Sequence, residues 1–179
     1  MLVGLVIAAA AGAALLFWRI AVFARRNLPV AGDAAPGFNL KDQHGNARTL
    51  DEFRGRWLVL YFYPRDDTPG CAEQAATYRD AMRELEALGA VVCGISVNDS
   101  ASHAAFALKY RLPFALLADR SGQVATRYGS LFNMALFKFA KRNTFLVDPH
   151  GKVARVYLGV NPANNTGDVM SDLKKMVVK

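Results

Sequence analysis

Cys71 closes the run Tyr61-Phe62-Tyr63-Pro64-Arg65-Asp66-Asp67-Thr68-Pro69-Gly70-Cys71, in which an apolar stretch gives way to a polar turn and then to a helix start. Thr68-Pro69 reads as a helix N-cap followed by the proline-favoured first helical position, so Cys71 falls in the first turn. Backbone N–H groups without intrahelical partners, together with the positive end of the helix dipole, favour a thiolate there. The chemistry open to such a sulfur is nucleophilic attack. A free cysteine more often packs as a small hydrophobe, but the polar, acidic, proline-rich setting speaks against that. Asp66 and Asp67 oppose the thiolate, because nearby carboxylates favour the protonated form. Something must offset them, and the helix N-terminus is one such contribution.

Pro64, Thr68 and Cys71 match the pattern P-x-x-x-T-x-x-C, and Phe62–Cys71 closely resembles the peroxiredoxin Q branch of the peroxiredoxins, also called bacterioferritin comigratory proteins. The resemblance runs from about Gly32 to the C-terminus and includes the segment Arg142–Gly151. It implies a thioredoxin-like fold and makes Cys71 the peroxidatic nucleophile. It also implies that Arg142 lies beside the sulfur, where a fixed guanidinium favours the thiolate and stabilises charge along the breaking O–O bond. The plainer reading of Arg142 is a solvated end to the stretch Lys138–Arg142; Lys141 is its neighbour and competitor, without motif support. Thr68 is implied to orient the peroxide oxygen and contact the thiolate, besides a simpler role as helix cap. Pro64 is implied to pack over the sulfur and exclude water; alternatively it only ends the strand.

The reaction so implied is a two-electron reduction. The Cys71 thiolate attacks a peroxide oxygen, water or an alcohol leaves, and a thiol restores the resulting sulfenic acid. No cofactor is called for. The partners are hydrogen peroxide or an organic hydroperoxide, and a reductant such as thioredoxin or glutaredoxin with glutathione; the assembly expected is a monomer or weak dimer.

The chain departs from the family at the resolving cysteine. Many relatives carry it five residues after the nucleophile, where this chain has Ala76; others carry it around Ala105–Leu108, where none occurs. The one other cysteine, Cys93, falls inside an apolar strand and reads as inert core. The expectation is therefore a 1-Cys cycle with an external thiol. The competing function is a thioredoxin-like redox sensor or adaptor with negligible turnover.

Elements that would position these groups follow from periodicity. Phe38–Leu50 reads as a hairpin around His44-Gly45-Asn46, and Trp57–Tyr63 as a central strand covered on both faces. Ala75, Tyr78, Met82 and Leu85 give Ala72–Leu88 a helical face, stopped by Gly89. A strand over Ala90–Val97, a helix capped by Ser100 or Ser102 and running to Tyr110, a strand at Phe114–Leu117 and a helix at Ser121–Tyr128 come next. Asn143–Val147 and Lys152–Leu158 flank the turn Asp148–Gly151, and Val169, Leu173, Met176 and Val177 mark a C-terminal helix. The fold class is α/β, a mixed central sheet flanked by helices and preceded by a hydrophobic N-terminal helix. The markedly apolar Leu131–Ala140 is either active-site wall and core, or an exposed patch for a membrane, a long-chain hydroperoxide or a partner.

Composition bounds the rest. The chain has 179 residues and a net charge of +7, with its basic residues spread out and no nucleic-acid motif, so nucleic-acid binding is not expected. Two cysteines exclude a disulfide scaffold, and the C-x-x-C position after Cys71 is taken by Gln74. His44, His103 and His150 lie far apart and read as surface residues, not as a metal site. Residues 1–26 form a hydrophobic segment, 27–36 a linker and 37–179 the catalytic domain. Leu2–Ala24 is long enough to cross a bilayer core of roughly 30 Å, and it lacks the positive start of a cleaved signal peptide. A membrane anchor is expected, with Arg19, Arg25 and Arg26 placing the domain in the cytoplasm; a periplasmic face is the alternative.

Overall fold

Two short strands, β1 (Asn39–Lys41) and β2 (Ala47–Thr49), form the hairpin expected around His44-Gly45-Asn46 in the computed structural model, which describes residues 28–134 and 137–177. A 3-10 turn at Leu50–Phe53 leads into β3 (Trp57–Phe62), whose apolar run is buried from Leu58 onward. The chain continues through α1 (Pro69–Asp80), α2 (Met82–Ala87), β4 (Ala90–Ser96), α3 (Ser100–Tyr110), β5 (Ala115–Ala118) and α4 (Gln123–Arg127). A hairpin of β6 (Leu131–Met134) and β7 (Phe137–Ala140) precedes β8 (Thr144–Val147), β9 (Val153–Tyr157) and α5 (Asn165–Val177).

The main sheet has the order β2-β1-β5-β4-β3-β8-β9. β3, β4 and β5 are parallel, while β8 pairs antiparallel with β3 and β9 with β8. This is a thioredoxin-like α/β fold. Alternation along β3 divides the core in two. Val59, Tyr61 and Tyr63 face a cluster with Tyr78, Leu85, Phe106 and Leu173 from the helices; Leu58, Leu60 and Phe62 face another with Val124, Tyr128 and Phe145. Gly94 in β4 is required by this packing, since a Cβ there would stand 2.8 Å from the Tyr61 ring and hydroxyl.

The observed elements differ from the expected ones in three places. The helix expected over Ala72–Leu88 starts at Pro69 and changes pitch at Ala81 (φ −87°, ψ −1°), though the Leu85 N–H still reaches the Ala81 carbonyl at 3.0 Å. The cap of α3 is Asp99, which accepts from the Ser102 N–H at 2.9 Å; the Ser102 hydroxyl is committed elsewhere. The stretch read as a linker is tied down. Gly32 donates to the Val153 carbonyl (2.8 Å), Val153 to Asp33 (2.9 Å) and Ala35 to Gly151 (2.9 Å), which satisfies backbone groups that β9 would otherwise leave open. The hydrophobic segment 1–26 lies outside the described residues; among the described residues no helix is long and apolar enough to cross a membrane.

Candidate functional site

Pro64 ends the β3 run because it has no N–H to give the sheet, and the chain turns away over Arg65–Thr68. Asp67 sits in the left-handed region at φ +56°. Thr68 is extended (φ −82°, ψ 148°), and its carbonyl accepts from the N–H groups of Cys71 (3.0 Å) and Ala72 (2.9 Å), which starts α1 with Pro69 in its first turn. The Thr68 hydroxyl does not cap the helix. It donates instead to the Arg65 carbonyl at 3.1 Å and closes the turn from within.

Cys71 is only 1% exposed and belongs to the core cluster that holds Tyr61, Tyr63 and Tyr78. Packing and polar contact coexist there, because its sulfur accepts from Arg142 Nη2 at 3.3 Å. The other terminal nitrogen, Nη1, donates to Gln74 Oε1 (2.8 Å) and to the Gly70 carbonyl (3.3 Å). Gly70 leaves a slot for this guanidinium: a Cβ there would lie 3.3 Å from both Arg142 Nη2 and Pro162 Cγ. The cation at the sulfur is therefore Arg142 and not Lys141.

Gln74 is the residue that sequence reasoning missed. It is buried on α1, three positions after Cys71 and hence on the same helical face. Its Nε2 donates to Asn165 Oδ1 (2.9 Å), which also accepts from the Tyr78 hydroxyl (2.6 Å) and Thr144 Oγ1 (2.8 Å). A hydrogen-bonded line thus runs from the start of α5 through α1 to the guanidinium and the sulfur. The available signal was a glutamine one turn after the nucleophile on an otherwise apolar face.

The two aspartates are engaged elsewhere. Asp67 accepts from Lys109 Nζ (2.8 Å) and the Tyr110 hydroxyl (2.8 Å), and these bonds hold its carboxyl below the usual carboxylate range. Asp66 is buried. Burial works against its charge, but hydrogen bonds from His103, Ser102 and Tyr63 outweigh that effect and keep its carboxyl below the usual range. His103 was expected at the surface and is instead fully buried against Asp66, whereas His44 and His150 are exposed. Among the described residues no group of His, Cys, Asp and Glu has the arrangement of a metal site.

Cys93 lies on the opposite face of the sheet from Cys71. It pairs with Leu60 and packs in the cluster of Ile95, Val124 and Phe145, where burial pushes its thiol far up. The described residues of the apolar stretch 131–140 are part wall and part surface. Ala140 is buried and Phe132 stacks on Phe139 (4.7 Å between centroids), while Met134 and Phe137 are 61% and 66% exposed. Between this hairpin and the turn after β3 opens a cleft of about 630 Å³, lined by Pro64, Arg65, Asn98, Phe137, Lys138 and Phe139 among others.

Comparison with known proteins adds five findings. The AhpC/TSA family model matches residues 31–156. The chain is 40% identical over 149 residues to the chloroplastic peroxiredoxin Q of Oryza sativa subsp. japonica, covering 81% of this chain and 67% of the rice protein. It is 38% identical over 146 residues to a bcp-type peroxiredoxin of Coxiella burnetii, covering 79% of this chain and 97% of that one. Among solved structures it is similar to peroxidoxin BcpB of Mycobacterium tuberculosis (30% identity, TM-score 0.79, 83% of this chain and 98% of that one). It is likewise similar to the bacterioferritin comigratory protein of Xanthomonas campestris (28% identity, TM-score 0.74, 78% and 92%).

Proposed function

The chain belongs to the AhpC/TSA family, as a thiol-dependent peroxidase of the peroxiredoxin Q kind, and from that premise we propose that Cys71 is the attacking thiol of a cycle using no second cysteine of the chain. The observation that carries this reading is the guanidinium of Arg142, held 3.3 Å from the Cys71 sulfur at the start of α1. A cation donating to sulfur remains in place to stabilise the charge that develops as the O–O bond breaks. The sulfur lone pair forms the S–O bond, the O–O bond breaks toward the distal oxygen, and that oxygen leaves as water or alcohol after taking a proton. Thr68 orients the peroxide within the turn, and Pro64 shields the sulfur from water.

Reduction needs an external thiol. It attacks the sulfenic sulfur and expels water, and a second thiol then resolves the mixed disulfide and returns Cys71. Cys71 is almost wholly buried, so the surroundings of its sulfur must open before a protein thiol can reach it. The position of Cys93 beyond the sheet supports the 1-Cys reading. The purified protein should consume hydrogen peroxide through many turnovers when dithiothreitol is supplied. A folded protein that stops after one equivalent would instead be a redox sensor.

Organic hydroperoxides are the second substrate class we propose; the Xanthomonas campestris relative has alkyl peroxide reduction activity. Here the cleft bounded by Pro64, Phe137 and Phe139 offers apolar contact beside the active-site turn. Replacing Phe137 and Phe139 together by serine should lower turnover of a lipid hydroperoxide about tenfold, the order expected for losing two aromatic contacts, while leaving hydrogen peroxide turnover within about twofold. Equal losses on both substrates would reject this role.

We also propose that residues 2–24 anchor the protein in a membrane with the catalytic domain on the cytoplasmic side. The support is the length of the apolar run and the position of Arg19, Arg25 and Arg26 after its start.

A further inference from the structure

The turn between β3 and α1 has almost no backbone ladder of its own. Its ties are the Asp66 N–H to Asn98 Oδ1 (3.2 Å), the Thr68 hydroxyl to the Arg65 carbonyl, and the two aspartate side chains, which both reach α3. The Asp67 tie to Lys109 is exposed, and exposed ion pairs are screened and weak. The Asp66 tie is buried. Its Oδ1 accepts from the Tyr63 hydroxyl (2.8 Å), its Oδ2 from Ser102 Oγ (2.6 Å), and His103 Nδ1 lies 2.9 and 3.1 Å from the two oxygens.

His103 is fully buried, and among the described residues its Nε2 has no hydrogen-bond partner. An ionised carboxylate offers no proton, so the short contact requires the proton on Nδ1. With the proton on Nδ1, Nε2 presents a lone pair rather than an N–H, so no buried donor is left without an acceptor. The ring is thus held for one bond, the one from Nδ1–H to Asp66.

We propose that His103 is a positioning residue for Cys71: through its Nδ1–H it fixes the Asp66 carboxylate, and through Asp66 it fixes the turn that sets Thr68 and the start of α1. This rests on the peroxidase reading given above, because position matters only if the sulfur reacts. Asp66 lies five residues before Cys71 with the unladdered turn between them, so loosening its carboxylate frees the residues that define where the sulfur points. Misplacement by about 1 Å costs a reaction up to a hundredfold in rate.

The test compares His103→Asn with His103→Leu. Asparagine can present an amide N–H where Nδ1–H stood; leucine fills similar space with no donor. Each protein is given a single pulse of hydrogen peroxide below its melting range, and the rate of Cys71 sulfenic acid formation is read by trapping and mass spectrometry. Alkylation of Cys71 by iodoacetamide is read in parallel. His103→Leu should slow oxidation about ten- to a hundredfold, and His103→Asn should recover to within about threefold of wild type. Lys109→Ala, which cuts the exposed tie, should stay within about twofold. Equal slowing in the leucine and asparagine variants, or a wild-type rate in folded His103→Leu, would overturn the proposal. If wild type alkylates at Cys71 but is not oxidised by peroxide, the peroxidase reading fails; the positioning role then stands or falls on whether the alkylation rates keep the same order.

Discussion

Cys71→Ser should abolish peroxide consumption outright, and Cys93→Ala should leave it near the wild-type rate. Serine at position 71 keeps the helix start and the donor from Arg142, but its oxygen is not ionised at neutral pH and cannot cycle through a sulfenic acid. Cys93 is different in kind. Its thiol is pushed up by burial, and it faces Ile95 and Phe145 on the far side of the sheet from Cys71. Sheet and flanking side chains put layers about 10 Å apart between such faces, whereas a disulfide needs Cα atoms within about 7 Å. Alanine is the substitution of choice there because serine would bury an unpaired hydroxyl, costing about 1–3 kcal/mol, while alanine leaves only a small void. After oxidation, the wild-type protein should carry a trappable sulfenic acid at Cys71 and no Cys71–Cys93 disulfide. Loss of turnover in a Cys93→Ala protein with an intact melting transition would show that a second thiol of the chain is needed, and the 1-Cys cycle would fall.

How much of this was legible beforehand varies with the kind of interaction. β3 was legible because a continuous run of large apolar residues has few alternatives to a strand covered on both faces. The place of Cys71 was legible because Thr68-Pro69 carries its own local start signal. Local patterns, however, say nothing about which polar groups meet after the chain closes on itself. His103 sits in a helix first turn after a run of small polar residues, and its pairing with Asp66 spans 37 positions. Gln74 and Asn165 are 91 positions apart. The docking of residues 32–35 on the edge at Val153 was illegible for the same reason: a loop composition of Gly, Ala and Pro predicts freedom, and only the unpaired groups of a distant strand remove it.

Arg142 is where this long-range line should show the second largest effect. Its fork serves two masters: Nη2 meets the sulfur while Nη1 is held by Gln74 Oε1 and the Gly70 carbonyl. Lysine keeps the charge but has a single nitrogen on a flexible stem, so it cannot meet the sulfur and remain anchored to Gln74 at once. Arg142→Lys should therefore lower kcat/KM for hydrogen peroxide by about a hundred- to a thousandfold, the order seen when a preorganised donor to developing charge is lost. Gln74→Leu leaves the guanidinium in place but removes its strongest anchor, and should lower the same quantity about tenfold, with the loss confined to the oxidative step. The ratio between the two decides what the line of hydrogen bonds does. If Gln74→Leu costs as much as Arg142→Lys, the charge alone is of no use and its orientation carries the rate. An Arg142→Lys protein within threefold of wild type would mean that neither the fork nor its anchor matters, and that the start of α1 activates the sulfur by itself.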